Sequence, residues 1–215
     1  MPRLRQVPRA EADPVALGAY ERMFGDRDPV TEPGTSTGTP GDWWSVMALV
    51  PEVLRYFQDG GALYKSPDRE VEPYFVELGI LRAGFAAGSK FVFSQHSKGA
   101  RAAGISAEKV AAIPHWSTTD LFDAKERAVL AYVDQFVLEH GRVQDATFDA
   151  LKSHFSDEQI LELTYIVGLY MMYAVFTKAL RLEYDDVDER VVEVPVPGGG
   201  DAVDIMKQMS GNAAR

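Results

Sequence analysis

Apolar positions recur at helical spacing along most of this chain, and the breaks between periodic blocks carry capping signals. Asp13-Pro14 predicts a helix start, with Asp13 as the cap and proline at the first helical position, running to about Phe24. The stretch TEPGTSTGTPGD, 31–42, reads as a turn-rich loop. It holds no lysine and no strand follows it, so it does not fit a phosphate-binding loop. Asp42 is placed to cap WWSVMALVPEVLRYFQ, which ends at Gly60-Gly61 and which Pro51 should kink or split. The block 73–104 is interrupted by Gly84 and Gly88, with Ser89 as a cap after the break, and predicts a helical hairpin over about 73–87 and 90–103. Gly104 and Ile105 close it. Ser106 caps a short helix that stops before Pro114. DAKE at 123–126 and SDEQ at 156–159 are capping boxes. They open a helix reaching toward Gly141 and another reaching about Leu182, with a shorter helix at 146–153 between them.

Strand content is negligible apart from VVEVPVP near the end, so the fold class expected is all-α. Residues 1–42 read as an N-terminal arm and loop, its first twelve residues loose. Residues 43–184 read as one helical domain, and 185–215 as a C-terminal arm with a GGG hinge and a short tail helix. The last core helix is apolar nearly all round from Tyr165 to Phe176, which places it centrally or at a subunit interface.

Composition narrows the functional classes. The chain has 215 residues, enough for one substantial domain. Its net charge of −10 argues against a nucleic-acid or anionic-membrane partner. It has no cysteine, which removes thiolate nucleophiles, disulfides, iron–sulfur clusters and cysteine zinc sites. MPRLRQVPRA lacks the apolar core of a secretory signal, and the longest uncharged segment, 163–177, is shorter than the roughly 20 residues of a membrane span. A cytoplasmic protein is expected.

Within the hairpin, two ionisable residues turn toward apolar stripes. At 100° per residue His96 shares a side with Val92, Phe93, Gly99 and Ala100, and Glu77 shares one with Ile80, Leu81 and Gly84. Glu77 lies roughly 16 Å of helix before the Gly88 break and His96 roughly 12 Å after it, so an antiparallel hairpin brings them to similar heights. A buried carboxylate beside an imidazole fixes its tautomer and stabilises its cation, which suits general acid–base chemistry. The same pair also suits an internal strut that only holds the hairpin. No set of residues has metal-ligand spacing, and no cofactor motif is found.

These residues carry a family resemblance. The frame Glu77, eleven residues, Ser89-Lys90-Phe91-Val92, three residues, His96 resembles the signature of the carboxymuconolactone decarboxylase and alkylhydroperoxidase D superfamily. In the peroxidase branch that signature is a glutamate, eleven residues, Cys-x-x-Cys, three residues and a histidine. Both cysteine positions are changed here, to Ser89 and Val92. VELGILRAG before the site, GIS after it and DEQILELTYIVGLYMMYAVFTKAL are also similar to the family, over roughly residues 43–184. The resemblance implies an alkylhydroperoxidase D-like helical domain, here with extended N- and C-terminal arms, assembled as a homo-oligomer. It implies catalysis by His96 and Glu77.

With no sulfur available, the expectation is a cofactor-independent, decarboxylase-like lyase acting on a small unsaturated or lactone carboxylic acid by proton transfer. Dehydration or isomerisation by the same pair, peroxidase-like activity (disfavoured without cysteine) and a non-catalytic ligand-binding oligomer are the alternatives. Candidate substrate contacts are Ser89, whose hydroxyl also suits a helix cap and whose neighbouring N–H groups can hold an anion, with Val92, Trp43, Trp44 and the loop residue His115. The tryptophans also suit plain core, and His115 a solvated loop. Arg82 is expected at the surface.

Overall fold

In a computed structural model residues 1–183 and 185 are described, and they contain ten α-helices and no strand. The expected C-terminal extended segment and tail helix lie outside the described residues. The helices are α1 (Pro14–Phe24), α2 (Asp42–Met47), α3 (Pro51–Gly60), α4 (Ala62–Lys65), α5 (Pro73–Ala86), α6 (Lys90–Ala102), α7 (Ala107–Ala112), α8 (Ala124–Leu138), α9 (Asp145–Lys152) and α10 (Asp157–Leu180). The expected starts follow local chemistry: Asp13 accepts from Val15 N, Ser89 from Val92 N and Ser106 from Lys109 N. Both capping boxes close reciprocally. Pro51 sits at the start of α3, where its missing N–H costs nothing, so the predicted helix is split into α2 and α3.

The core is organised around α5, which packs against α6, α8 and α10. Every residue of α5 from Phe75 to Gly84 is buried, Glu77 and Arg82 included. Two glycines set how closely its partners approach. A Cβ at Gly79 would stand 3.0 Å from Val167 Cγ2 on α10, and one at Gly84 would stand 3.0 Å from the backbone N of Phe93 on α6. The burial of Arg82 corrects the surface placement expected for it. Arg82 Nη1 donates to Ile113 O at 3.0 Å, and Nε pairs with Asp134, which also accepts from Trp116 Nε1 at 2.9 Å. A buried guanidinium is tolerated because its donors are taken.

A second apolar cluster joins Val7, Tyr20, Phe24, Trp43, Leu54, Phe57 and Leu182. Residues 1–12 are therefore not loose. Val7 N donates to Ser45 O at 2.9 Å, the buried Tyr20 hydroxyl donates to Val7 O at 2.8 Å, and Arg3 N donates to Leu180 O at 2.9 Å. The first arm is pinned beside the end of α10.

By length and composition α10 could cross a membrane, because the continuous helix extends the 15-residue uncharged segment at both ends. In this fold Leu163, Ile166 and Val167 are buried with α5, while Leu161, Tyr165, Met172 and Val175 are exposed along one side.

Beyond α10 the chain reverses through Arg181 and Glu183, both at positive φ, 54° and 55°. The reversal delivers Glu183 to the start of α2, where its carboxylate accepts from Gly41 N at 3.0 Å and Trp43 N at 3.1 Å. Asp42 was expected to cap that helix. Instead Gly41 is the N-cap, at φ 85°, and Asp42 accepts from Glu183 N at 2.7 Å. A carboxylate from the far end of the chain thus satisfies donors that a local cap would take.

Burial pushes the Glu183 carboxyl above its ordinary 4.5, against the lowering pull of its backbone donors. The folded state then binds a proton more tightly than the unfolded chain, so this group's stabilisation is present below about pH 4.5 and is lost as pH rises through the folded value. Relative to Glu183→Gln, the wild type should lose melting temperature between pH 4 and pH 7; parallel curves would contradict this. Urea unfolding should show Gly84→Ala destabilised by about 1–3 kcal/mol through overpacking. Gly18→Ala, whose Cβ would meet only Arg22 Nη1 at 3.7 Å, should gain about 0.5–1 kcal/mol.

Candidate functional site

The hairpin of α5 and α6 delivers the two ionisable side chains to one point. His96 Nδ1 lies 2.9 Å from Glu77 Oε2, and both residues are buried, at 8% and 4% exposure. An ionised carboxylate only accepts, so Nδ1 carries the hydrogen, which leaves Nε2 as the ring nitrogen that can give or take a proton. The second carboxylate oxygen is also occupied: the Tyr64 hydroxyl on α4 donates to Oε1 at 2.6 Å. Burial, then the Glu77 charge, push the Tyr64 hydroxyl up, which keeps it protonated and donating. Gly99 permits the arrangement, because a Cβ there would stand 2.6 Å from Oε1.

Aromatic rings fix the imidazole. Tyr170 on α10 meets it edge-on with ring centres 4.3 Å apart, and Tyr64 does so at 5.6 Å. Tyr170 in turn packs on Tyr64 and Tyr173. Burial pushes the Tyr170 hydroxyl up, and the Tyr173 hydroxyl up to about 12. None of the three tyrosines ionises near neutral pH.

His96 lines a cavity of about 280 Å³. Its walls include Trp43, Trp44, Phe57, Phe91, Val92 and Tyr170, and Thr37 and Lys65 are exposed at its edge. Glu77 is not in this wall. It borders a second cavity behind the pair, of about 340 Å³, with Arg69, Gly99 and Ala103, and Tyr64 touches both. The carboxylate therefore stands behind the imidazole as seen from the first cavity. Among the described residues no cluster could hold a metal ion.

Of the five candidate substrate contacts, Trp43, Trp44 and Val92 reach the His96 cavity and two do not. Ser89 is 2% exposed, accepts from Val92 N and donates to Asp185 Oδ2 at 2.6 Å. Asp185 is fully buried, also accepts from Phe91 N at 3.2 Å and lies 2.6 Å from Thr177 Oγ1. The anion expected at the start of α6 is thus the chain's own carboxylate, and Ser89 is a cap with no face toward the cavity lining. His115 is exposed in a 3₁₀ turn, 113–118, and lines neither cavity. Its turn packs on α5, α7 and α8, away from α3 and α10, which wall the site.

Sequence reasoning missed Tyr64, Tyr170 and Glu183. Tyr64 lies in a single-turn helix after Gly60-Gly61, where the predicted helix ends, and Tyr170 sits in a helix apolar on all sides. Only Glu183 carried a signal, as a carboxylate just past a long apolar helix, and nothing local tells where it reaches.

Residues 51–135 match the carboxymuconolactone decarboxylase family. The chain is 32% identical over 77 residues to the uncharacterised protein YnjA of Escherichia coli K12, covering 36% of this chain and 42% of that protein. It thus matches less than half the length of that relative. A crystal structure from Agrobacterium tumefaciens, a protein of unknown function described as a candidate antioxidant-defence protein AhpD, superposes with TM-score 0.59 at 26% identity. That match covers 63% of this chain and 92% of the other. The debrominase Bmp8 superposes with TM-score 0.62 at 18% identity, over 82% of this chain and 89% of Bmp8, a likeness of fold alone. The segment that matches the carboxymuconolactone decarboxylase family contains both Glu77 and His96, and the described residues share the helical fold of alkylhydroperoxidase D-like structures, in a sequence without cysteine.

Proposed function

We propose that this protein is a cofactor-independent enzyme that moves a proton on a small unsaturated or lactone carboxylic acid, with loss of CO2 as the favoured outcome. The observation that carries this reading is the imidazole of His96 in an aromatic cavity, backed by a carboxylate that faces away from the ligand space. In decarboxylation the electron pair of the breaking C–C bond passes into the adjacent unsaturated system as CO2 leaves. The imidazolium then gives its Nε2 proton to the new carbanionic carbon. Glu77 holds Nδ1–H throughout and stabilises the cation between turnovers. Apolar walls favour departure of a charged carboxylate as neutral CO2. The same pair, starting neutral, removes a proton instead, so isomerisation or dehydration of related acids belongs to the same proposal.

Thiol chemistry has no support, since the 215 residues include no cysteine. Assembly as a homo-oligomer is part of the proposal, and the exposed stripe Leu161, Tyr165, Met172 and Val175 on α10 supports it.

The test is CO2 release, and deuterium incorporation at carbon in D2O, over a panel of unsaturated and lactone carboxylic acids. His96→Ala should lower turnover about 10²–10⁴-fold with the helical circular dichroism retained. Turnover unchanged by this substitution would remove His96 from the reaction. Tyr64 acts through Glu77 as a positioning residue. Tyr64→Phe leaves Oε1 without its donor, which should lower kcat about tenfold while KM stays within about twofold. A change in KM alone would make Tyr64 part of the cavity wall and nothing more.

A further inference from the structure

Two amide groups in the wall of the His96 cavity have no role in the acid–base pair. Gln58 Nε2 and Gln95 Nε2 are both buried and lack a hydrogen-bond partner within the protein. Both residues line the cavity, Gln58 from α3 and Gln95 from α6, next in sequence to His96. A buried N–H left unpaired costs about 1–3 kcal/mol, so two such groups in one small cavity are an expensive packing accident. The orientation of the Gln58 amide is set by its neighbour. Its Oε1 lies 3.5 Å from Arg22 Nη2, and a guanidinium only donates, so the NH2 end is the one left over. Neither nitrogen is open to solvent as the side chains stand. The terminal torsion of glutamine is soft, so a small turn presents N–H to a ligand.

The rest of the lining defines what such a ligand must be. Seven aromatic side chains, Tyr64 and Tyr173 among them, line it and favour a planar ring. Among the described residues no arginine lines the cavity, and Lys65 is exposed at its edge. Glu183, the one acidic wall residue among those described, has its oxygens on Gly41 N and Trp43 N, and its charge repels a second buried anion. Neutral amide donors without a guanidinium fit a carbonyl oxygen better than a pair of carboxylates.

We propose that Gln58 and Gln95 are the specificity-determining residues of this site and read the ring carbonyl of a planar lactone or enone carrying at most one carboxylate. This deepens the reading above and rests on it only in taking the His96 cavity as the substrate site.

The test is binding, not turnover, with three ring compounds of similar size followed by calorimetry and ligand-observed NMR. Phthalide carries the lactone carbonyl, indane has the same fused rings without oxygen, and phthalate is the dicarboxylate. Wild-type protein should bind phthalide about tenfold more tightly than indane, and more tightly than phthalate. Gln58→Met and Gln95→Met, which keep side-chain volume, should each lower phthalide affinity about tenfold and leave indane unchanged. Equal affinities for phthalide and indane, equal losses for both compounds in the variants, or preference for phthalate would each overturn the proposal. So would an absence of phthalide binding at about 1 mM. Because no catalysis is read, loss of turnover in His96→Ala combined with unselective binding sinks this proposal alone, whereas selective binding with turnover intact in His96→Ala sinks only the proton-transfer reading.

Discussion

The contact between Glu77 and His96 constrains much of what surrounds it. A carboxylate buried at the middle of a helix packed on three sides is costly unless each oxygen has a partner. Here one oxygen takes the imidazole and the other takes the Tyr64 hydroxyl. That requirement explains several separate features at once. Gly99 leaves the space that the carboxylate occupies, Gly84 lets α6 lie close to α5, and α4 exists as a single turn that brings one tyrosine to Oε1. Tyr170 and Tyr64 then hold the ring edge-on, so the imidazole is fixed at both its nitrogen and its face.

The site divides along the chain into a part inside the family-matched segment and a part outside it. The acid–base pair, Tyr64 and the two glutamines fall inside the segment 51–135 that matches the family. Trp43, Trp44, Met23 and the threonine loop precede it, and Tyr170, Tyr173 and Glu183 follow it. The proton-handling core is thus built on one hairpin, while most of the aromatic wall is delivered by flanking elements. Those flanks depend on one another. The turn after α10 caps α2 through Glu183 and caps α6 through Asp185, so two walls of the cavity are anchored by adjacent stretches of the same reversal.

Most of the helical architecture was legible locally because its signals are local. Asp13, Ser89, Ser106, Asp123 and Ser156 each accept from a backbone N–H two or three residues onward, and such bonds need no knowledge of the rest of the fold. The helical phases of Glu77 and His96 were legible for the same reason. Where partners are distant in sequence, the local signal misled. Ser89 was expected to cap α6, as it does, but also to meet substrate, whereas its hydroxyl goes to Asp185, 96 residues away. Arg82 looked like a solvated cation because Asp134 and Ile113 O, which pair with it, are remote. Residues 1–12 looked loose because Ser45 O and Leu180 O, which hold them, belong to other elements.

Periodicity, caps and helix rise determined on their own that this chain folds into helices and that one hairpin sets an acid and an imidazole at a common height. Those properties follow from bonds and angles spanning a few residues. Tertiary packing alone decided which way the imidazole faces, which tyrosine completes the carboxylate, that the anion at the start of α6 is internal, and that two glutamines meet one cavity from different helices. Each of these depends on side chains brought together from far along the chain, where no spacing rule connects one residue to the next.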